Sequence, residues 1–145
     1  MTLRQVLIVA IAVSSVSVAA QSGDKYSIRL ERVPVANARE GGPITGRGTG
    51  TATLAGNRLT VNVNFEGLTT PATVARLHRG VAKAARGPVL GDLTITKGTS
   101  GIVGGMIELK PEDLADLKLG KLYVQVHSEK GMAPDGHNLW GWLLR

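Results

Sequence analysis

The sequence predicts an all-β domain: an antiparallel, Greek-key-like sandwich or barrel of about eight strands with one short helix. Three observations carry this. Apolar and polar residues alternate with period two along most of the chain after Lys25. Turn signals recur about every 8–12 residues, the spacing of sandwiches and barrels. Only one stretch, Lys110 to Lys121, carries the punctuation of a helix.

The elements follow in order. In "KYSIRLERV" Tyr26, Ile28 and Leu30 share one face, with Arg29 and Glu31 near the other. "GTGTATL" and "RLTVNVNFEG" flank Gly56-Asn57, a tight-turn signal, and form a hairpin. The second of these is the clearest strand: Leu59, Val61, Val63 and Phe65 oppose Thr60, Asn62, Asn64 and Glu66. Further strands are predicted at "ATVARLH", "VLGDLTIT", "GIVGGMIEL", "KLYVQVH" and "NLWGWLL". "KPEDLADLKLGK" is the exception. It has Pro111 in a first-turn position, Glu112 and Asp113 early, Lys118 late and Gly120 as a stop, as helix caps and dipole favour. Leu114, Leu117 and Leu119 are available to dock it. Glycines inside strands (Gly48, Gly50, Gly104, Gly105, Gly141) predict strong bends. "VANAREGGPITGRG" reads as a long loop or ragged edge.

The first twenty residues read as a secretory signal peptide, followed by one domain over 21–145. Arg4 precedes the apolar run Val6–Val13, and Val18 and Ala20 are small residues placed for a cut after Ala20. As a helix, Val6–Ala20 would span about 22 Å, short of a bilayer's hydrocarbon core. The mature chain is therefore expected to be secreted or periplasmic and not membrane-spanning. With no cysteine in the chain, its stability must come from packing and backbone ladders. Removing residues 1–20 takes away Arg4 and no acid, so the charge excess falls by only one from +6. Such a protein suits acidic partners: a surface polymer, a lipid head group or an acidic protein. Nucleic acid is not expected, since aromatic residues are too few to make a stacking platform among the basic ones.

The absence of cysteine excludes thiol chemistry, and no phosphate-binding glycine loop or Gly-x-Ser-x-Gly elbow is present. Three features remain. His78, His127 and His137, with Asp135 nearby, can be read as a zinc or copper site, with strand alternation placing His78 and His127 at strand ends on a barrel rim. The plainer reading, that they brace loops, is preferred because neither spacing is a chelating pair; no cofactor is then expected. Arg76, Arg79, Lys83 and Arg86 fall in a stretch free of acids, and read either as an anion-binding loop or as a solvated one. Trp140 and Trp142 share a strand face, and read either as a sugar-stacking aromatic face or, preferably, as core filling.

Taken together, these segments resemble the CHRD (chordin-type) domain in its bacterial-type, exported, single-domain form. The family's middle motif resembles "RLHRGVAKAARGPVLGDL" through His78, Gly80, Gly87, Pro88 and Val89. Its late motif resembles "KLYVQVHSEKGMAPDGHNLWGWLL" through Leu122, Tyr123, Val124, Val126, His127, Pro134, Gly136 and Gly141. The likeness extends from about Tyr26 to Leu144. It implies an all-β domain of secreted or periplasmic proteins that binds or interacts and has no established catalytic activity. Arg76 replaces the family's frequent first histidine, and "GHNLWG" replaces a closing pattern with an acid and an arginine. The strand before Gly80 is also similar to one in copper–zinc superoxide dismutase, so the alternative is a small His-ligated metalloprotein with that kind of barrel. The enzyme's copper needs more histidines than the three present.

Overall fold

A computed structural model describes residues 23–34, 45–132 and 137–145, without the side chains of 131, 132, 137 and 138. The expected signal peptide, most of the loop after Val35, and Pro134, Asp135 and Gly136 lie outside the described residues. The described residues form eight strands and one helix: β1 (Asp24–Arg32), β2 (Arg47–Ala55), β3 (Arg58–Glu66), β4 (Ala72–Arg79), β5 (Val89–Ile95), β6 (Gly101–Glu108), α1 (Pro111–Lys118), β7 (Leu122–Met132) and β8 (His137–Leu144). Each predicted strand corresponds to one of the eight.

The strands close into an antiparallel barrel in the order β1-β2-β3-β6-β5-β4-β7-β8. β4, β5 and β6 form a hairpin-connected trio, while β3 lies beside β6 and β7 beside β4. That is Greek-key order, met from both sides. Closure leaves no free edge among the described strands. The predicted turn at Gly56-Asn57 joins β2 to β3, whose ladder runs unbroken from Arg47↔Glu66 to Ala55↔Arg58.

Alternation decides which residues fill the barrel. Tyr26, Ile28, Leu30, Leu59, Val61, Val63, Phe65, Leu77, Val124 and Leu143 are buried members of one apolar core. Full burial of each such side chain contributes about 2 kcal/mol of transfer free energy, and the sum offsets the entropy of ordering the chain. Gly141 is forced by this packing: a Cβ there would lie 2.8 Å from the Ile28 side chain and from the Arg29 carbonyl oxygen.

The helix has the predicted bounds. Asp113, three residues after the N-cap Lys110, accepts the Lys110 backbone N–H at 3.2 Å. Leu117 is buried in the core and Leu114 packs against it, but Leu119 is the C-cap and is exposed. The helix thus docks through two leucines rather than three.

Candidate functional site

One outer face of the barrel departs from the usual polar, solvated exterior. On β4 the outward residues are Val74, Arg76 and His78; on β7 they are Tyr123, Gln125 and His127. The β4–β7 register pairs His78 with Tyr123, Arg76 with Gln125 and Val74 with His127. β8 continues the rows, with Trp142 opposite Tyr123 and Trp140 opposite Gln125. The result is an aromatic cluster on the outside of the sheet. His78 stacks on Tyr123 at 4.9 Å between centroids, Tyr123 lies 4.5 Å from Trp142, and the two indoles meet edge to face at 5.4 Å.

The expectation that the tryptophans fill the core is therefore corrected. Both are half-buried on the outer face and neither belongs to the core cluster. Alternation put them on a common side correctly. Closure of the barrel then gave the inner side of β8 to Leu139, Gly141 and Leu143.

The loop from Gly80 to Pro88 folds back over this face and is pinned at Gly87. Its carbonyl accepts a hydrogen bond from His78 Nδ1 at 3.1 Å, and its N–H donates to Tyr123 Oη at 3.2 Å. A shift in the β4–β5 register between Leu77 and His78 helps to aim the imidazole at the loop. Beneath the loop lies a cleft of about 480 Å³, lined by Thr73, Val74, Arg76, His78, Arg86, Gly87, Val89, Tyr123, Gln125 and His127. Its floor is polar and buried. Gln125 is 1% exposed, yet neither its Oε1 nor its Nε2 has a hydrogen-bond partner among the described residues, and His78 Nε2 likewise has none. Unpaired polar atoms this deep cost on the order of 1–3 kcal/mol each.

A larger hollow of about 740 Å³ lies beside β1, β2 and β3. Four of its charges are paired, Arg29 with Glu31 and Arg47 with Glu66, and these four are exposed, as is Arg32, which also lines it. Water solvates such pairs well, and among the described residues no buried orphan atom lines it.

The four basic residues separate. Arg76 pairs with Asp92 on β5 at 2.9 Å. Arg79 turns toward the helix, donating to Asp113 at 2.9 Å and lying 3.7 Å from Asp116. Lys83 and Arg86 sit on the exposed loop and form no ion pair among the described residues. Chain spacing grouped these residues, but the tertiary structure gives Arg79 a structural partner and leaves only Lys83 and Arg86 on the loop.

The histidines also differ from expectation. His78 and His127 face outward from the sheet rather than meeting at a rim, and β7 runs on past His127 to Met132. His78 and His127 are not cross-strand partners but lie diagonally across the β4–β7 ladder. The register sets His137 opposite His127. The His137 side chain is outside the described structure. No group of three His, Cys, Asp or Glu side chains is gathered to hold a metal ion among the described residues.

Burial pushes His78 below its ordinary pKa. The Gly87 carbonyl opposes this by favouring the charged ring, while His127, Arg76 and Arg86 reinforce it. Burial likewise raises the Tyr123 phenol, against the opposing effects of the Gly87 N–H and Arg86. A base whose folded pKa is lowered binds fewer protons than the unfolded chain. Its stabilising effect is complete above the unfolded value of 6.5 and is lost as pH falls from there toward the folded value. In metal-free buffer, urea midpoints should therefore fall between about pH 7.5 and pH 5, and His78→Asn should flatten that slope. An unchanged slope in the variant would remove His78 as the cause.

Gln125, Tyr123 and Gly87 were not singled out as site residues by sequence reasoning. One signal was available: the outward residues of β7 read Tyr-Gln-His, with no formal charge, beside a strand bearing two outward tryptophans.

The fold and site define an antiparallel Greek-key barrel that carries its polar cleft on the outside of the wall, with the interior closed by side chains. Residues 29–136 match the family model of the CHRD domain, and the chain belongs to that family. No curated protein and no solved structure matches the chain. No helix of the described residues is long and apolar enough to cross a membrane.

Proposed function

We propose that the protein is an exported, non-catalytic interaction module, cleaved after Ala20, that engages an acidic partner through the outer face of β4, β7 and β8. Membership of the CHRD family supports a binding role and an extracellular setting. The observation that carries the choice of surface is the loop pinned at Gly87. It presents Lys83 and Arg86 to solvent beside half-buried Trp140 and Trp142, while the barrel interior is filled. Exposed cations near an aromatic face attract an anionic polymer, head group or acidic protein patch at long range, and salt weakens that attraction.

The test is retention on a sulfated polysaccharide and on anionic vesicles over a salt gradient. Lys83→Ala combined with Arg86→Ala should weaken binding about ten-fold at low salt and reduce its salt dependence. Arg79→Ala should instead lower stability, because its guanidinium is held by Asp113 and Asp116. Equal binding by the double variant and the parent would sink the proposal. Export is tested separately, by N-terminal sequencing of the secreted protein, which should begin at Gln21.

A further inference from the structure

We propose that one end of the barrel docks on an anionic lipid surface, with Val81, Leu119 and Leu144 entering the interface and the cations around them meeting phosphate head groups. The inference rests on the basic-loop reading above and names its partner. Three segments meet at this end. The Gly80 N–H donates to the Lys121 carbonyl at 2.8 Å, which ties the start of the loop to the chain just past α1. A Cβ on Gly120 would lie 3.3 Å from Leu144 Cδ2 and 3.7 Å from Lys83 Cε, so the end of β8 and the loop both close on the helix terminus. A Cβ on Gly80 would lie 3.0 Å from Trp142 Cη2. Alternation along β8 turns Trp140, Trp142 and Leu144 to the same outer side, so its apolar row runs into this end.

Val81 is 74% exposed, Leu119 54% and Leu144 50%, and none of them lines either hollow described above. Lys83, Arg86 and Lys118 accompany them, exposed and without an ion pair among the described residues. The acids of these segments are matched or distant. Asp116 meets Lys121 at 3.2 Å, Asp24 meets Arg145 at 2.6 Å, and Glu112 lies in the first turn of α1, at the opposite end of the helix. Charge complementarity therefore selects an anionic occupant, and the apolar tips select among anionic ones. A soluble polyanion would satisfy the cations but leave Val81, Leu119 and Leu144 in water. A bilayer interface takes both: apolar tips bury beneath the head groups while lysine stems reach back to the phosphates. A protein partner is disfavoured, because lysines interrupt the apolar tips and the core of a protein interface is depleted of lysine.

The experiment is sedimentation of the mature chain from Gln21, which holds all eight strands, with vesicles of phosphatidylcholine alone and of phosphatidylcholine with phosphatidylglycerol. The protein should bind the anionic vesicles and not the neutral ones. Val81→Ser, Leu119→Ser and Leu144→Ser combined should weaken that binding at least about 30-fold and leave retention on the sulfated polysaccharide unchanged. Met106→Ser is the control. Met106 is 61% exposed but lies on β6, opposite β8 in the closed strand order, and its loss should change nothing. Far-UV circular dichroism verifies that the variants fold. Lipids brominated near the head group should quench Trp142 in the parent protein, a readout that needs no variant. Four results overturn the lipid surface: no quenching, vesicle binding indifferent to the triple substitution, an equal loss in Met106→Ser, or polysaccharide retention lost along with vesicle binding. Polysaccharide binding with no vesicle binding also overturns it, yet leaves the basic-loop reading standing. That reading falls instead if Lys83→Ala with Arg86→Ala changes neither binding.

Discussion

Leu77→Ala is expected to lower the free energy of unfolding by about 4 kcal/mol. Leu77 is fully buried in the barrel core, where β4 pairs it with Val124 of β7 and Gly91 of β5. Truncation removes the transfer free energy of the lost methyl groups and leaves a void that a closed barrel relaxes poorly, because each neighbouring strand is held by ladders on both sides. Against a typical stability of about 5–15 kcal/mol, this is a large fraction. The measurement is urea unfolding followed by circular dichroism and tryptophan fluorescence. The midpoint should fall with little change in slope. A loss below about 1 kcal/mol would mean that the interior at β4 is not close-packed. The same strand carries Arg76 and His78 outward, so the variant also tests whether the cleft depends on the packing behind it.

Gly87→Ala should have the second largest effect, a loss of about 3 kcal/mol. A Cβ at this position would be driven into the Arg79 carbonyl oxygen and to 3.0 Å from the Gly80 Cα, both of them backbone with little freedom to yield. The loop would have to lift, and both hydrogen bonds at Gly87 would be lost, from His78 and to Tyr123. Near-ultraviolet circular dichroism should therefore change along with stability, since Tyr123 contacts both indoles. The comparison is Gly56→Asn. Gly56 has φ +62 and nothing near its missing Cβ, a conformation that asparagine tolerates, so the change should stay within about 0.5 kcal/mol. If the two variants were equally stable, the loop would not be held as described.

Most of the fold was legible because period-two alternation is a local property. Leu59, Val61, Val63 and Phe65 announce their shared face in sequence, and Gly56-Asn57 announces the turn before them. The helix was legible through Pro111, Asp113, Lys118 and Gly120, which act within one or two turns of chain. Leu119 is apolar yet exposed, because C-cap geometry, and not apolar character, decides where that side chain points.

The site was legible only in fragments. His78, His127, Trp140 and Trp142 were noticed for their chemistry, and alternation assigned each its face. Which face became the inside depended on closure, through the pairing of β1 with β8 and β4 with β7. Arg79 looked like one of four equivalent cations until α1 brought Asp113 and Asp116 to it. Gln125 looked like an ordinary outward polar residue until the register set it between Arg76 and Trp140, and the returning loop helped to enclose that face.

The sequence by itself thus determined the family, the strands, the helix and, where alternation is clear, which residues share a side of their strand. These follow from spacing and from the conformational limits of single residues. Only the tertiary structure decided which side is buried, which charges meet and where polar atoms are left without partners. Those depend on contacts between segments tens of residues apart, such as Gly87 with Tyr123 or Arg79 with Asp113, and no local pattern encodes them.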